Sequence, residues 1–248
     1  MATAERLTVL TWNVGRLHLG RLGRLVGHDS RARDRAMAHV ARVVEGADAD
    51  VVVLQELAGP WQLHRLAARL GGGLVPKWGG GHTDRMVGML VRGALRPTCE
   101  AVPLAGGRGA VSAAGEGWAV LGVHLEPFDA AARARQVEDL VAWVAHRPEA
   151  VVVVAGDLNL DTRHPLHQEP LDRAAFAMLT GAARGLEDLG AAAGPTVLLG
   201  RRLDYVLGRG FASSEVDVLG GVRVPLGDHD PVRARLSLSS AARARLVL

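Results

Sequence analysis

Short apolar runs that end abruptly in polar residues dominate the pattern of this chain. The runs at residues 51–55 and 151–155 each begin with four consecutive valine or leucine residues. Because neither run alternates with polar positions, each predicts a strand that is buried on both faces. Further strands are predicted at residues 7–12, 86–92, 98–102, 118–124, 203–207, 215–218 and 232–238.

Apolar residues spaced three and four positions apart predict helices between several of these strands. The helices are predicted at residues 30–45, 61–70, 130–145 and 173–179. Asp129 and Asp172 are expected to cap the last two, because an aspartate can accept hydrogen bonds from the first turn. The glycine-rich segment 71–81 and residues 106–117 are predicted to be loops. Strand–helix alternation followed by a β-rich end predicts one α/β domain over residues 1–248.

Composition narrows the class of protein. Hydrophobic residues make up 48% of the 248 positions and charged residues 22%, which is typical of a globular domain. The single cysteine, Cys99, excludes an internal disulfide, and residues 1–6 have no apolar core of signal-peptide length. We therefore expect a cytoplasmic protein, and no apolar run is long enough to span a membrane.

Charge and aromatic content bear on the substrate. The net charge is +3, and Lys77 is the only lysine among 29 basic residues. Arginine binds phosphate groups bidentately, so this composition fits an anionic substrate. A GC-rich genome would produce the same bias toward arginine. Aromatic residues make up only 4%, which argues against an extended stacking surface for single-stranded nucleic acid.

Carboxylate, amide and histidine side chains stand at the ends of the predicted strands. They are Asn13, Glu56, His124, Asp157, Asn159, Asp228 and His229, and Asp204 lies within a further strand. In an open α/β sheet, ligands bind beyond the strand ends. Carboxylates and amides suit Mg²⁺, whereas zinc would require short His or Cys spacings. His164 and His167 lie three residues apart, but their proline-rich stretch indicates surface histidines. Gly156-Asp157 and Asn159 could also be simple turn residues.

Six motifs in order give the chain a family resemblance. They are Thr11-Trp-Asn13, Leu54-Gln-Glu56, Val123-His124, Gly156-Asp-Leu-Asn159, Leu203-Asp-Tyr205 and Gly227-Asp-His229. Together they resemble the endonuclease/exonuclease/phosphatase family. The resemblance implies a DNase I-like, four-layer αββα sandwich, in which two packed mixed β-sheets are flanked by helices. It also implies Mg²⁺- or Mn²⁺-dependent hydrolysis of phosphate esters.

The resemblance also implies roles for individual residues. Glu56, Asn13 and Asp228 match the metal and phosphate site, and Asp157 matches the residue that activates the attacking water. Asn159, His124 and His229, with Asp204 as the partner of His229, match the groups that contact the phosphate or act as acid and base. Gly15 stands where the abasic endonucleases of the family carry a second acidic residue, which weakens kinship to that subgroup. The remaining candidates for substrate contact are Arg16, Arg85 and Tyr205.

These observations predict a metal-dependent phosphodiesterase with nuclease-like activity on DNA or RNA. Two alternatives within the resemblance stay open: hydrolysis of a small phosphate ester or phospholipid head group, and a binding module without catalysis. A Rossmann-type nucleotide binder is disfavoured because no Gly-x-Gly-x-x-Gly follows the first strand. We expect a monomer with a phosphate-ester substrate and no protein partner.

Overall fold

The computed structural model describes residues 6–15, 30–79, 86–162, 169–181, 185–224, 227–240 and 242. The strands in this part of the chain are β1 Arg6–Asn13, β2 Val51–Leu57, β3 Leu74–Trp78, β4 Met86–Arg92, β5 Thr98–Leu104, β6 Arg108–Gly115, β7 Trp118–His124, β8 Val151–Asp157, β9 Glu187–Asp188, β10 Asp204–Arg209, β11 Phe211–Val218 and β12 Val232–Leu238. The α-helices are α1 Ser30–Ala47, α2 Pro60–Arg69, α3 Ala130–Ala145 and α4 Pro170–Thr180.

The strands form two six-stranded sheets that pack face to face. Their strand orders are β11-β12-β1-β2-β4-β3 and β5-β6-β7-β8-β10-β9. Each sheet is mixed, because β1 runs parallel to β2 and β7 parallel to β8 whereas the other pairs are antiparallel. The sheets approach closely: a Cβ added to Gly122 on β7 would lie 2.6 Å from Val53 on β2. The valine-rich strands thus supply a buried hydrophobic core between the sheets.

Helices cover the outer face of each sheet. Met37 and Val40 of α1 and Leu63 and Leu66 of α2 pack in one cluster with β1 and β2. Residues of α3 and α4 pack in a second cluster with β7, β8 and β10. This arrangement confirms the predicted four-layer αββα sandwich. None of the described helices combines the length and the apolarity that crossing a membrane requires.

Two strands occupy segments that the sequence predicted to be loops. β3 is an edge strand that pairs with β4. It lies inside the glycine-rich stretch, and the glycines on either side of it led to the prediction of a loop. β6 lies between β5 and β7 and contains mostly glycine, alanine and serine. Those side chains carry little β-propensity, but small residues fit where two sheets press together. Tertiary packing rather than local preference therefore makes β6 a strand.

The two predicted helix caps have different outcomes. The Asp129 side chain accepts hydrogen bonds from the backbone N–H groups of Ala131 at 2.9 Å and Ala132 at 3.0 Å, which confirms it as the N-cap of α3. The hydrogen bond from Ala132 is the main reason that the pKa of Asp129 is lowered. The prediction for Asp172 was wrong, because α4 begins at Pro170. Asp172 instead accepts hydrogen bonds from Arg133 of α3.

Candidate active site

Strand ends from both sheets meet at one edge of the sandwich. In one sheet, the Asp157 end of β8 pairs with His124 of β7 on one side and with Asp204 of β10 on the other. In the other sheet, β1 ends at Asn13 beside the parallel strand β2, which carries Glu56. Hydrogen bonds then join the two sheets at this edge. The structure therefore brings these five predicted site residues to one edge, where Asn159 and His229 join them.

Asn13 connects the two carboxylates that face each other across the sheets. Its side-chain Nδ2 donates to Asp157 Oδ2 at 3.0 Å and to Glu56 Oε1 at 3.3 Å. Its own Oδ1 accepts from the backbone N–H of Gly15 at 3.1 Å, which fixes the amide orientation. Because both N–H groups of one amide are used, the two carboxylates are held close to each other. Their mutual repulsion favours a cation at this place.

Two site residues have left-handed backbone conformations. Glu56 has a φ of 56° and lies where the β2–β4 register shifts between Leu54 and Leu57. Asn159 has a φ of 52°, and its Nδ2 donates to the Leu125 carbonyl at 3.0 Å. Such a conformation is unfavourable for glutamate and is tolerated better by asparagine. The irregularity at Glu56 breaks the strand alternation at the residue predicted to bind metal.

Asp157 is surrounded by donors and histidines. Its Oδ1 accepts from the backbone N–H of Asn159 at 3.0 Å, and its Oδ2 lies 3.6 Å from His124 Nε2 and 3.7 Å from His229 Nε2. Burial raises the pKa of Asp157 to about 7, although the positive charge of His229 acts in the opposite direction. A carboxyl with this pKa can exchange a proton near neutral pH.

His229 and Asp204 form a buried pair. His229 Nδ1 lies 2.8 Å from Asp204 Oδ2, and Asp204 is completely buried. Burial on its own lowers the pKa of His229, but the charges of Asp204 and Asp157 outweigh it and raise the pKa to about 10. The imidazole is therefore protonated at neutral pH, and Nδ1 donates to Asp204.

Two residues that sequence reasoning did not assign to the site hold this pair in place. Trp12 Nε1 donates to the His229 carbonyl at 3.1 Å. Thr196 Oγ1 accepts from the backbone N–H groups of Leu203 at 3.1 Å and Asp204 at 3.2 Å. Trp12 lies in one of the recognised motifs, but its contact spans most of the chain. Nothing in the sequence around Thr196 indicated its contact.

A network beneath the site fixes the segment that follows His124. The backbone N–H of Glu126 donates to Gln136 Oε1 at 2.8 Å, and its carbonyl accepts from Arg133 Nη1 at 2.7 Å. Its carboxylate accepts from Arg108 Nη2 at 2.9 Å. Arg108 also donates to the His124 carbonyl at 3.4 Å. These contacts anchor the chain immediately after a predicted phosphate-binding residue, and sequence reasoning missed the contributions of Arg108 and Glu126.

The donor set fits a hard divalent cation at Glu56. The Glu56 carboxylate is partly exposed, and among the described residues no arginine, lysine or histidine nitrogen forms an ion pair with it. Ligand atoms of Asp157, Asp204 and His229 also lie within 4.8 Å of one another. A protonated His229 that donates to Asp204 is a poor metal ligand, however. Glu56, with its oxygen donors, is therefore the better position for a hard divalent cation.

The other predicted site residues lie differently. The Asp228 side chain is 71% exposed, and its Oδ1 is 3.9 Å from His229 Nε2, without a described hydrogen bond to Glu56 or Asn13. Tyr205 is completely buried in the layer beside α3 and α4, where its hydroxyl donates to the Leu160 carbonyl at 2.7 Å. The structure thus does not bring Tyr205 to the site. Arg16, Arg85, His164 and His167 lie outside the described residues.

Removing the charge of Asp204 should lower the pKa of His229. In Asp204→Asn, we expect that pKa to fall from about 10 back toward 6.5. A raised histidine pKa stabilises the fold below pH 6.5, and this contribution is lost as the pH rises through about 10. The destabilisation should therefore be about 1.5–3 kcal/mol at low pH and shrink at high pH.

NMR titration of the His229 ring in EDTA, with thermal unfolding across the same pH range, measures both effects. Asp217→Asn is a matched control, because Asp217 is 35% exposed and pairs with Arg233 and Arg235 away from the site. An unchanged His229 pKa in Asp204→Asn would contradict the assigned pairing.

Known proteins resemble this chain in sequence pattern and in fold. A model of the endonuclease/exonuclease/phosphatase family matches residues 10–229 of the chain. No curated protein sequence matches it. Among solved structures, an endonuclease/exonuclease/phosphatase from Beutenbergia cavernae is 21% identical, with a TM-score of 0.71, over 96% of this chain and 72% of that one.

Two further solved structures match this chain over nearly their own full length. A protein of the same description from Bacteroides vulgatus is 16% identical, with a TM-score of 0.71, over 94% of this chain and 99% of that one. Truncated Caenorhabditis elegans TDP2 is 18% identical, with a TM-score of 0.66, over 94% and 97% of the two chains. At these identities, the structural similarity establishes a common fold.

Proposed function

We propose that this chain, which belongs to the endonuclease/exonuclease/phosphatase family, is a divalent-metal-dependent phosphodiesterase with nuclease-like activity. The observation that carries the proposal is the contact of one amide with two carboxylates. Asn13 Nδ2 lies 3.0 Å from Asp157 and 3.3 Å from Glu56, so a cation ligand and a proton acceptor are held side by side. This is the arrangement that attack of water on a phosphate ester requires.

Asp157 is the proposed general base. Its pKa of about 7 places its ionisation where a base is most useful near neutral pH. Asn13 and the backbone N–H of Asn159 each donate to a different oxygen of this carboxylate, which fixes its orientation. In this proposal, Asp157 takes the proton from the water that attacks phosphorus.

The two histidines are the proposed partners of the phosphate oxygens. His229 and His124 both place Nε2 within 4 Å of Asp157 Oδ2, so an oxygen next to Asp157 can contact both rings. His229, charged at neutral pH and held by Asp204, offsets negative charge on the phosphate and can donate a proton to the leaving oxygen. Asn159 is proposed as a further phosphate contact.

Glu56 and Asn13, with Asp228 at the exposed side, are the proposed metal site. A bound Mg²⁺ or Mn²⁺ ion supplies positive charge for the phosphate oxygens. The Asp228 carboxylate is 71% exposed, and its Oδ1 lies 3.9 Å from His229 Nε2. A small phosphate ester or a phospholipid head group remains the alternative substrate, and a cytoplasmic location remains a prediction.

Metal-dependent cleavage tests the function. We expect cleavage of plasmid DNA and of a chromogenic phosphodiester with Mg²⁺ or Mn²⁺, and none in EDTA. Glu56→Gln should weaken metal binding measured by calorimetry at least about tenfold, since even loss of an outer-shell partner commonly has this effect. Glu45→Gln, an exposed change on α1, is the matched control.

Each result has a defined meaning. Undiminished cleavage in EDTA would contradict a metal-dependent hydrolase. Metal binding without cleavage of DNA, diesters, monoesters or phospholipids would contradict the hydrolase and favour a phosphate-binding module. Preference for a small ester over DNA would favour the alternative substrate class.

A further inference from the structure

An arginine follows a short turn that is fixed directly against His229. The turn, Leu198–Gly200, is a single turn of 3₁₀ helix that precedes β10. The Arg201 carbonyl accepts from the backbone N–H groups of Thr196 at 2.9 Å and Val197 at 3.1 Å. Val197 in turn forms an antiparallel bridge with His229. The backbone of Arg201 is therefore tied to the segment that carries a proposed phosphate contact.

The Arg201 guanidinium is anchored on one side by a buried carboxylate. Its Nε donates to Asp161 Oδ2 at 2.7 Å, and the Asp161 side chain is 2% exposed whereas that of Arg201 is 33% exposed. Within the described part of the chain, Arg201 has no side-chain partner other than Asp161. Asp161 is four residues from Asp157, so their Cα atoms are at most about 14 Å apart. The guanidinium is thus oriented near the site, and its two terminal nitrogens are available to a ligand.

The exposed side chains beside this arginine do not form a basic track. Leu198 is 55% exposed although it is a large apolar residue. Its backbone N–H donates to the Asp228 carbonyl at 3.2 Å, and the Asp228 side chain is 71% exposed. A polynucleotide strand is bound by a series of cationic side chains. An apolar residue and a carboxylate next to Arg201 favour a compact ligand instead.

We propose that Arg201 binds a terminal oxyanion, a phosphate or a carboxylate, of a small phosphate ester whose apolar body lies against Leu198. The inference rests on the proposed hydrolysis of a phosphate ester at Asp157, and it selects the small-ester class of substrate over nucleic acid. Arginine presents its donors in a planar fork that matches two oxygens of one phosphate or carboxylate group. Because Asp161 occupies Nε, the open edge of the fork fits one terminal group.

The contact with Asp161 should make this recognition selective. A mobile arginine side chain loses rotational freedom when it binds a ligand, whereas Arg201 is already held by a 2.7 Å hydrogen bond. The positive charge of Arg201 is also balanced by the buried carboxylate of Asp161, which weakens its attraction for distant anions. Recognition at this place therefore depends on direct hydrogen bonds to a correctly placed oxyanion, and less on general charge.

Paired ligands test the assignment without catalysis. We expect the protein to bind an alkanediol bisphosphate, at the best of several chain lengths, at least about tenfold more tightly than the alkyl monophosphate of equal length, as for a hydrogen-bonded charged group. Calorimetry in EDTA measures both affinities. A phosphoalkyl carboxylate, compared in the same way, distinguishes a terminal carboxylate from a terminal phosphate. In Arg201→Gln, the preference should fall to less than about twofold, because glutamine carries no charge.

Two further variants separate recognition from folding. Arg201→Gln leaves the buried Asp161 carboxylate without its charged partner, which destabilises the fold. Arg201→Lys keeps a positive charge there, but lysine has no planar fork, so it should fold and still lose most of the preference. Arg235→Gln is the matched control, because Arg235 is 39% exposed and pairs with Glu215 and Asp217 away from the site. This control should keep the wild-type preference.

Each outcome decides the proposal. Equal affinity of the wild type for the doubly and singly anionic ligands at every chain length would overturn it. A preference that is unchanged in Arg201→Lys and Arg201→Gln, or lost equally in Arg235→Gln, would also overturn it. Tighter binding of a single-stranded oligonucleotide than of any bisphosphate, lost in Arg201→Gln alone, would overturn it in favour of a nucleic-acid contact. Because calorimetry in EDTA requires no turnover, failure of this inference is distinguishable from absence of metal-dependent hydrolysis.

Discussion

Asp157→Asn is expected to lower kcat for metal-dependent phosphodiester cleavage by about 10²–10⁴-fold, the range that general-base catalysis contributes. Asparagine has nearly the same shape but cannot accept the proton of the attacking water. It retains an oxygen that can accept from Asn13, so the strand end should stay in place. Steady-state kinetics with the chromogenic diester at saturating Mg²⁺ or Mn²⁺ measures the effect.

The pH dependence separates a base from a structural residue. The wild-type rate should rise as the Asp157 carboxyl ionises, with a midpoint at or below pH 7, because a nearby cation lowers a carboxyl pKa. This limb should be absent from the residual activity of Asp157→Asn. Asp48→Asn is the control, since that side chain is 88% exposed and its left-handed backbone suits asparagine. Unchanged kcat and pH dependence in Asp157→Asn would disprove the role of base.

Arg133→Met is expected to destabilise the fold by about 3–5 kcal/mol, the cost of breaking a buried ion pair from one side. Arg133 and Asp172 are both nearly inaccessible to solvent and are joined by three hydrogen bonds of 2.7–2.9 Å between α3 and α4. Burial already raises the pKa of Asp172 despite the charge of Arg133. Without the guanidinium, this carboxylate has no compensation. Denaturation in urea at neutral pH measures the loss.

A second substitution distinguishes the buried charge from lost packing. The double variant Arg133→Met, Asp172→Leu should recover most of the stability, because it removes both charges and replaces them with apolar volume. Arg135→Met, on the exposed side of the same helix, should change stability by less than about 0.5 kcal/mol. If the double variant is no more stable than Arg133→Met, packing rather than the unpaired Asp172 determines the effect.

Much of the fold was predictable because the buried strands of this protein are continuous apolar runs in the sequence. The valine runs became β2 and β8, and the predicted bounds at Met86–Arg92, Trp118–His124 and Val232–Leu238 agree with the structure. The resemblance to the endonuclease/exonuclease/phosphatase family is confirmed by the match over residues 10–229. β3 escaped prediction because glycine-rich sequence flanks it, and β6 because its glycine, alanine and serine residues form a strand only through their neighbours.

The site was predictable to the extent that it lies at strand ends. Asn13, Asp157 and His124 follow directly from that rule, and the structure brings them into contact or close to it. Trp12 and Thr196 could not be placed, since their hydrogen bonds to residues of the site depend on how two sheets close against each other. The sequence pattern identifies which side chains end a strand, but only the packed sandwich identifies which other side chains hold the backbone of these residues.

The left-handed backbone at Glu56 opposes stability to the cation binding proposed for this residue. Glycine adopts such a conformation without the steric penalty that glutamate incurs, which is of the order of 1–3 kcal/mol for strained residues. The substitution that would relax this strand is thus also the one that would remove the proposed cation ligand. Replacing Glu56 by glycine to stabilise the scaffold would therefore sacrifice the proposed cation ligand, so engineering for stability is better directed elsewhere in the sandwich.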